Sequence, residues 1–167
     1  KVKVFKEYKV GIIPTGTELI DRHTAPKIGD IIEFNSRLFE GLVLQYGAKP
    51  ERYPIVEDNY DKIKGCIQKA LEECDMVLVN AGSSQGREDF TYDIVEELGE
   101  VVIHGLAVKP GKPAILGQVQ NKPVIGIPGY PVSAWVVMEK IVKPVLYKLN
   151  YKVEDEPVVV DATLSTR

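Results

Sequence analysis

The sequence predicts an α/β fold built on an open sheet, and three observations carry that expectation. Short apolar runs recur at residues 9–14, 76–79, 101–104, 114–117 and 124–127, each the length of a buried strand. Longer stretches over 35–46, 60–73, 88–98 and 131–149 space their apolar residues three and four apart, as one face of a helix requires. Between Asp75 and Asp89 an apolar run breaks into a Gly- and Ser-rich loop that feeds a helix. That order is how an open sheet builds an anion site at the carboxyl end of a strand, although Gly and Ser also make ordinary strand-to-helix turns.

Composition narrows the class. A chain of 167 residues suits one domain with a sizeable core. A net charge of −3, with 27% charged residues spread along the chain, includes no polybasic block. Nucleic acid and anionic membrane are therefore not expected partners, and an anionic ligand must be met locally. No apolar run nears the roughly 18 residues of a spanning helix, and residues 1–6 lack the apolar centre of a signal peptide, so the expected location is cytoplasmic. Cys66 and Cys74 have no Cys or His at metal-ligand spacing. They continue the apolar stripe of Ile63, Ile67, Ala70 and Leu71, which predicts buried, inert thiols.

Residues 9–14 read as a buried strand, and Thr15-Gly16-Thr17-Glu18-Leu19 as the loop that leaves it. Glu18 thus stands near a strand end, either solvated or in a site. A charged, Pro-containing excursion over 21–29 returns to extended chain at 30–34. Asn35 or Ser36 can cap the helix that follows, which Gly47 ends in a left-handed conformation; capping and ligand contact are both open to Asn35. A second strand is expected over 52–56, and beyond it Asp58 is placed either to cap the helix over 60–73 or to serve a site.

The helix after the Gly/Ser loop runs over 88–98 and ends at Gly99. Next, Lys109-Pro110-Gly111-Lys112-Pro113 sets two lysines in a loop stiffened by two prolines, an arrangement suited to phosphate or oxyanion binding. Residues 114–117 and 124–127 form a hairpin with Asn121-Lys122 at its turn. Pro131 opens the last helix, which Pro144 is placed to kink. Residues 1–150 make one α/β domain on this reading, and 151–167 an acidic linker running into the strand-like start of a further domain.

In this order the pieces resemble the molybdopterin-binding domain of the molybdopterin molybdenumtransferase family. The matching stretches begin with Thr15-Gly16-Thr17-Glu18-Leu19, Gly29-Asp30-Ile31 through Asn35, and Asp58 before its helix. They continue with Asn80-Ala81-Gly82-Ser83-Ser84-Gln85-Gly86 through Asp89, Lys109 to Pro113, and Ile127-Pro128-Gly129-Tyr130-Pro131-Val132-Ser133-Ala134. The most specific are the Lys-Pro-Gly-Lys-Pro stretch and the last. Four positions depart from the family's habit: Thr17 replaces an aspartate, Ala81 a glycine, Tyr130 an asparagine and Gly105 a basic residue. Tyr130 cannot cap its helix as asparagine does, and is free to stack on a pterin or to pack.

The resemblance implies a three-layer α/β sandwich with a mostly parallel sheet, and a homo-oligomer. It implies that molybdate is inserted into adenylylated molybdopterin with release of AMP, assisted by a divalent cation such as Mg²⁺. Catalytic roles carry over to Glu18, Asp58, Asp89, Lys109 and Lys112, with Asp58 and Asp89 as oxygen ligands of the cation. Contacts to the pterin or its phosphate carry over to Thr15, Gly16, Asn35, Gly82, Ser83, Ser84, Gly86, Pro110, Gly111, Gly129 and Ser133. Tungstate, nearly isosteric with molybdate, suits the same groups. Molybdopterin adenylyltransferases and non-catalytic scaffold modules share the domain, so both stand as alternatives.

Overall fold

The computed structural model describes residues 2, 4, 6–80, 90–153 and 159–163. Its centre is a six-stranded sheet of β1 (Lys9–Pro14), β4 (Lys49–Arg52), β5 (Met76–Asn80), β6 (Glu100–His104), β7 (Ile115–Val119) and β8 (Lys122–Ile127). The strand order is β4-β1-β5-β8-β7-β6. The pairings β4–β1, β1–β5 and β5–β8 are parallel, while β8–β7 and β7–β6 are antiparallel. Two-residue strands β2 (Leu19–Ile20) and β3 (Ile31–Ile32) pair separately, in parallel.

Alternation along the strands divides the core into two. Val10, Ile12, Met76, Leu78, Ile125 and Ile127 turn to one face, where they meet Phe39, Leu42, Val43 and Tyr46 of α1 (Asn35–Tyr46) and Met138, Val142 and Leu146 of the last helix. Ile13, Val77, Val79 and Val124 turn to the other, against α2 (Tyr60–Glu73) and α3 (Phe90–Leu98). The result is the expected three-layer sandwich. Nearly every residue of β1, β5 and β8 is buried because helices cover both faces, so these strands read as continuous apolar runs.

Local chemistry sets the ends of the elements. Gly47 adopts φ +86° and its N–H returns to the Leu44 carbonyl, the left-handed stop that a Cβ would strain. The last helix runs as α4 (Pro131–Val137), a π-helical turn over Met138–Val142, and α5 (Lys143–Leu149). Pro144 has no N–H to donate into the preceding turn, and the π-turn lies just before it, at the position where the sequence placed an irregularity.

Three local expectations are corrected. The second strand is Lys49–Arg52 rather than 52–56, with a single bridge from Val56 to Thr15 beyond it; Pro50 is tolerated because β4 is an edge strand. The hairpin turn is Gln120–Asn121, both at positive φ, and Lys122 already pairs with Val119. Neither Asn35 nor Ser36 caps α1: Phe34 stands at that position, and the Glu33 carboxylate accepts from the Ser36 N–H at 2.7 Å. The predicted start of α3 at 88 and 89 lies outside the described residues. Cys74 is buried and Cys66 packs on the core, and burial pushes both thiols up, as inert cysteines require.

Candidate functional site

The carboxyl ends of β1, β5 and β8 point the same way, and the polypeptide leaving each converges there. At the centre is Asn80, the buried last residue of β5. Its carbonyl accepts from the Thr15 N–H at 2.9 Å and the Thr15 hydroxyl at 3.2 Å, tying it to the end of β1. Its side-chain Nδ2 donates to the carbonyls of Ile127 and Pro128, both at 3.2 Å, tying it to the end of β8. Its Oδ1 accepts from Asn35 Nδ2 at 3.1 Å, and that amide also donates to the Gly129 carbonyl at 2.7 Å. Asn35 thus points into the domain from the first turn of α1, which explains why it does not cap that helix.

Further along the polypeptide leaving this end of the sheet lies Asp58, tied to Thr17. The helix-capping job that sequence alone left open to it belongs to Asn59, whose Oδ1 accepts from the Lys62 N–H at 3.0 Å. Asp58 instead accepts from the Thr17 N–H through Oδ2 at 3.3 Å, and its own N–H donates to the Thr17 hydroxyl at 3.3 Å. Partial burial raises its carboxyl above the ordinary carboxylate range, the Thr17 N–H opposes that, and the charge of Glu18 raises it further. Two like-charged carboxylates without a cation between them are the donor set that a hard divalent ion relieves. Mg²⁺ takes one or two carboxylates and completes its shell with water and phosphate oxygens, and Asp58 has the oxygen chemistry for it, while Asp89, the second expected ligand, lies outside the described residues. Among the described residues no group of three or more His, Cys, Asp or Glu could hold a metal ion.

The lysine loop occupies the same end of the sheet. β6 runs parallel to β8, with β7 reversed between them, so residues 105–114 turn over at the carboxyl side. The loop is closed on the Lys112 carbonyl, which accepts from the N–H groups of Leu106 at 2.8 Å and Ala114 at 2.9 Å. Gly111 is buried at φ +108°, and a Cβ there would lie 3.2 Å from Val136 and 3.6 Å from the Ser133 carbonyl. Only glycine lets the loop sit this close to α4. Lys109 and Lys112 are exposed, and neither has a carboxylate partner among the described residues. Two unneutralised cations on a fixed loop are what an oxyanion needs.

Of the residues expected from sequence, Thr15 and Asn35 bond to Asn80, Glu18 and Gly129 line a cavity with those two asparagines, Gly16 lies against Glu18, Asp58 is tied to Thr17, and Gly111 packs near Ser133 on the loop that carries Pro110 and the two lysines. Gly82, Ser83, Ser84, Gly86 and Asp89 lie outside the described residues. Asn80 has no role among the residues expected from sequence. Its signal was an amide at the end of a wholly apolar run, where a buried polar group must find partners. Tyr130 does not pack: it is 64% exposed and lines a cavity with Phe34, Ile31 and Asn35.

These features define an α/β unit that gathers carboxylates, amides and lysines at the carboxyl end of a mostly parallel sheet. Residues 11–148 match the family described as "Probable molybdopterin binding domain", and the chain belongs to that family. A protein of Methanocaldococcus jannaschii, provisionally named a molybdopterin biosynthesis protein, is 38% identical over 151 residues, covering 86% of this chain and 38% of the relative. The molybdopterin molybdenumtransferase of Haemophilus influenzae is 32% identical over 150 residues, covering 90% of this chain and 37% of that protein. Among solved structures, the molybdopterin biosynthesis moeA protein of Pyrococcus horikoshii superposes with a TM-score of 0.81 at 34% identity, over 89% of this chain and 37% of that one. The chain therefore spans somewhat more than a third of the length of these relatives. A molybdenum cofactor biosynthesis protein B shares the fold over 97% of its own chain, with a TM-score of 0.65 at 22% identity. The family places the chain in molybdenum cofactor biosynthesis, with molybdopterin binding as the shared property.

Proposed function

We propose that this chain is the central domain of a molybdopterin molybdenumtransferase, residues 1–150 forming the pterin-binding and catalytic unit and 151–167 leading toward further chain. The overall reaction passes molybdenum from molybdate to the dithiolene sulfurs of adenylylated molybdopterin and releases AMP. Asp58 and Asp89 would hold a divalent cation, which when bound supplies positive charge to the adenylate phosphate and the oxyanion. Lys109 and Lys112 meet the phosphate or the oxyanion from the stiff loop, where their charge does not reorganise during reaction. Glu18 adds a second carboxylate to the charge that Asp58 meets, and Thr17 fixes Asp58 by one hydrogen bond to its side chain and one from its backbone N–H.

One observation carries this reading: Asp58 has been relieved of helix capping by Asn59 and stands next to a second carboxylate without a salt bridge of its own among the described residues. The family relation and the named transferases support it, as does the small share of those relatives' length that the chain spans. The test is molybdenum insertion by the full-length protein. Asp58→Asn and Lys109→Ala should each lower it at least ~100-fold, as loss of a preorganised charge does, with unchanged circular dichroism. Undiminished insertion in both variants would overturn the reading. ATP-dependent adenylylation of molybdopterin without molybdate would assign the chain to the activation step instead.

A further inference from the structure

A second cavity opens where β1 and β4 end, and none of the residues assigned to the proposed reaction lines it. It encloses about 270 Å³, on the order of twenty times the room one water needs. Three arginines line it, each from a different part of the chain: Arg52 ends β4, Arg37 stands in the first turn of α1, and Arg22 follows β2. It shares only Glu33 with the cavity beside Asn35.

The carboxylates around these arginines are largely committed. Both oxygens of Glu33 accept from Ser36, one from its N–H at 2.7 Å and one from its hydroxyl at 2.6 Å. Asp21 Oδ1 accepts from the His23 N–H at 2.9 Å. Glu40 gives one oxygen, Oε2, to both Arg37 Nη1 and Arg52 Nε, at 3.2 Å each. Donors are left over. Arg52 Nη1 donates to Ser36 Oγ at 3.3 Å, and its Nη2 has no partner among the described residues. Arg22 donates through Nε to His23 Nε2 at 3.0 Å, and neither of its terminal nitrogens has a partner among them. With Glu40 counted, three guanidinium groups stand with three carboxylates, so the excess is one of hydrogen-bond donors rather than of charge. A monoanion suits that balance better than a phosphate dianion does. Pro14, Pro54 and Ile55 supply carbon to the same lining.

The geometry points to a binding site for a small organic carboxylate in this cavity, its oxygens taken by the terminal nitrogens of Arg22 and Arg52 and its carbon body against Pro54 and Ile55. A planar carboxylate matches the planar fork of a guanidinium, and an apolar wall beside a few placed polar groups is how small-molecule sites are built. The site is independent of the function proposed above.

Calorimetric titration of the chain with sodium benzoate tests this. Benzoate should fill one saturable site, and benzamide, of the same shape but uncharged, should bind at least tenfold more weakly. The amide resonances of Ser36, Arg37 and Ile55 should shift on binding, while those of Leu106 and Ala114 in the lysine loop should not. Arg22→Gln and Arg52→Lys should each weaken benzoate at least fivefold, the second because an ammonium keeps the charge and loses the fork. Arg52 also braces Glu40 and Ser36, so the exposed Arg22 keeps the test decisive if the Arg52 variant does not fold. Absence of saturable binding, equal binding of benzamide, displacement of benzoate by an equal concentration of inorganic phosphate, shifts centred on the lysine loop, or an Arg22 variant that binds like the parent would each overturn the inference.

Discussion

The two ends of the central sheet each hold an aspartate, and the two are treated in opposite ways. At the amino end, Asp75 precedes β5, accepts from the Lys9 N–H at 2.9 Å and is paired with the Lys6 ammonium. Burial pushes its carboxyl up, but the Lys6 ammonium and the Lys9 N–H outweigh that and hold it below the ordinary range. At the carboxyl end, Asp58 is raised by burial and by Glu18, against one opposing N–H. The first aspartate is fully answered by its surroundings and fastens β5 to β1. The second has no cation beside it among the described residues, and its charge is met there by the Thr17 N–H. The same residue type serves structure where its charge is matched and, on the proposed function, chemistry where it is not.

That contrast can be broken or sharpened by substitution. The largest effect on stability is expected at Asn80, because Asn80→Ala strands the buried amide of Asn35 and the carbonyls of Ile127 and Pro128. A loss of roughly 2–4 kcal/mol should appear in urea unfolding. A loss below about 1 kcal/mol would show that the amide knot does not hold the carboxyl end together.

At the opposite end, Asp75→Asn should cost about 1 kcal/mol at neutral pH. The folded carboxyl lies below its unfolded value, so its contribution is fully present above the ordinary range near 4 and is lost as pH falls through the lowered value. The gap between parent and variant should therefore close in acid; a gap constant with pH would deny the ion pair its part.

The smallest effect carries the opposite sign. Asp58 is raised in the fold, so its ionised form costs stability as pH climbs from about 4 through the raised value, and the cost persists above it. Asp58→Asn keeps an acceptor for Thr17 and should be the more stable protein at pH 7, by less than about 1 kcal/mol because solvent screens a half-buried carboxylate. The gain should vanish near pH 4. Thermal unfolding across that range reads it, and a destabilised variant at pH 7 would remove the contrast between the two ends.

Much of this was legible beforehand for physical reasons. Strands buried on both faces need continuous apolar runs, so β1, β5 and β8 announced themselves. So did α2, whose apolar stripe recurs at helical spacing over 60–73. The edge strand β4 was placed a few residues late because an edge needs no apolar signature, and its Pro50 argued against pairing. Asp58 and Asn59 are adjacent and both able to cap, and propensity does not choose between them. The choice is made by Thr17, which is 41 residues distant from Asp58 in the chain and holds that side chain away from the helix.

What the sequence determined by itself is the α/β class, the strand and helix faces, and a stiff loop carrying two cations, because each follows from periodicity, turn chemistry or the rigidity of proline within a few residues. The tertiary structure decided which polar groups are spent and which are free. Asn35 donates its hydrogens 45 residues away to Asn80 and 94 residues away to Gly129, and its side-chain carbonyl has no partner among the described residues. No local pattern encodes that outcome, because hydrogen-bond satisfaction is settled only when distant segments are packed together and water is excluded.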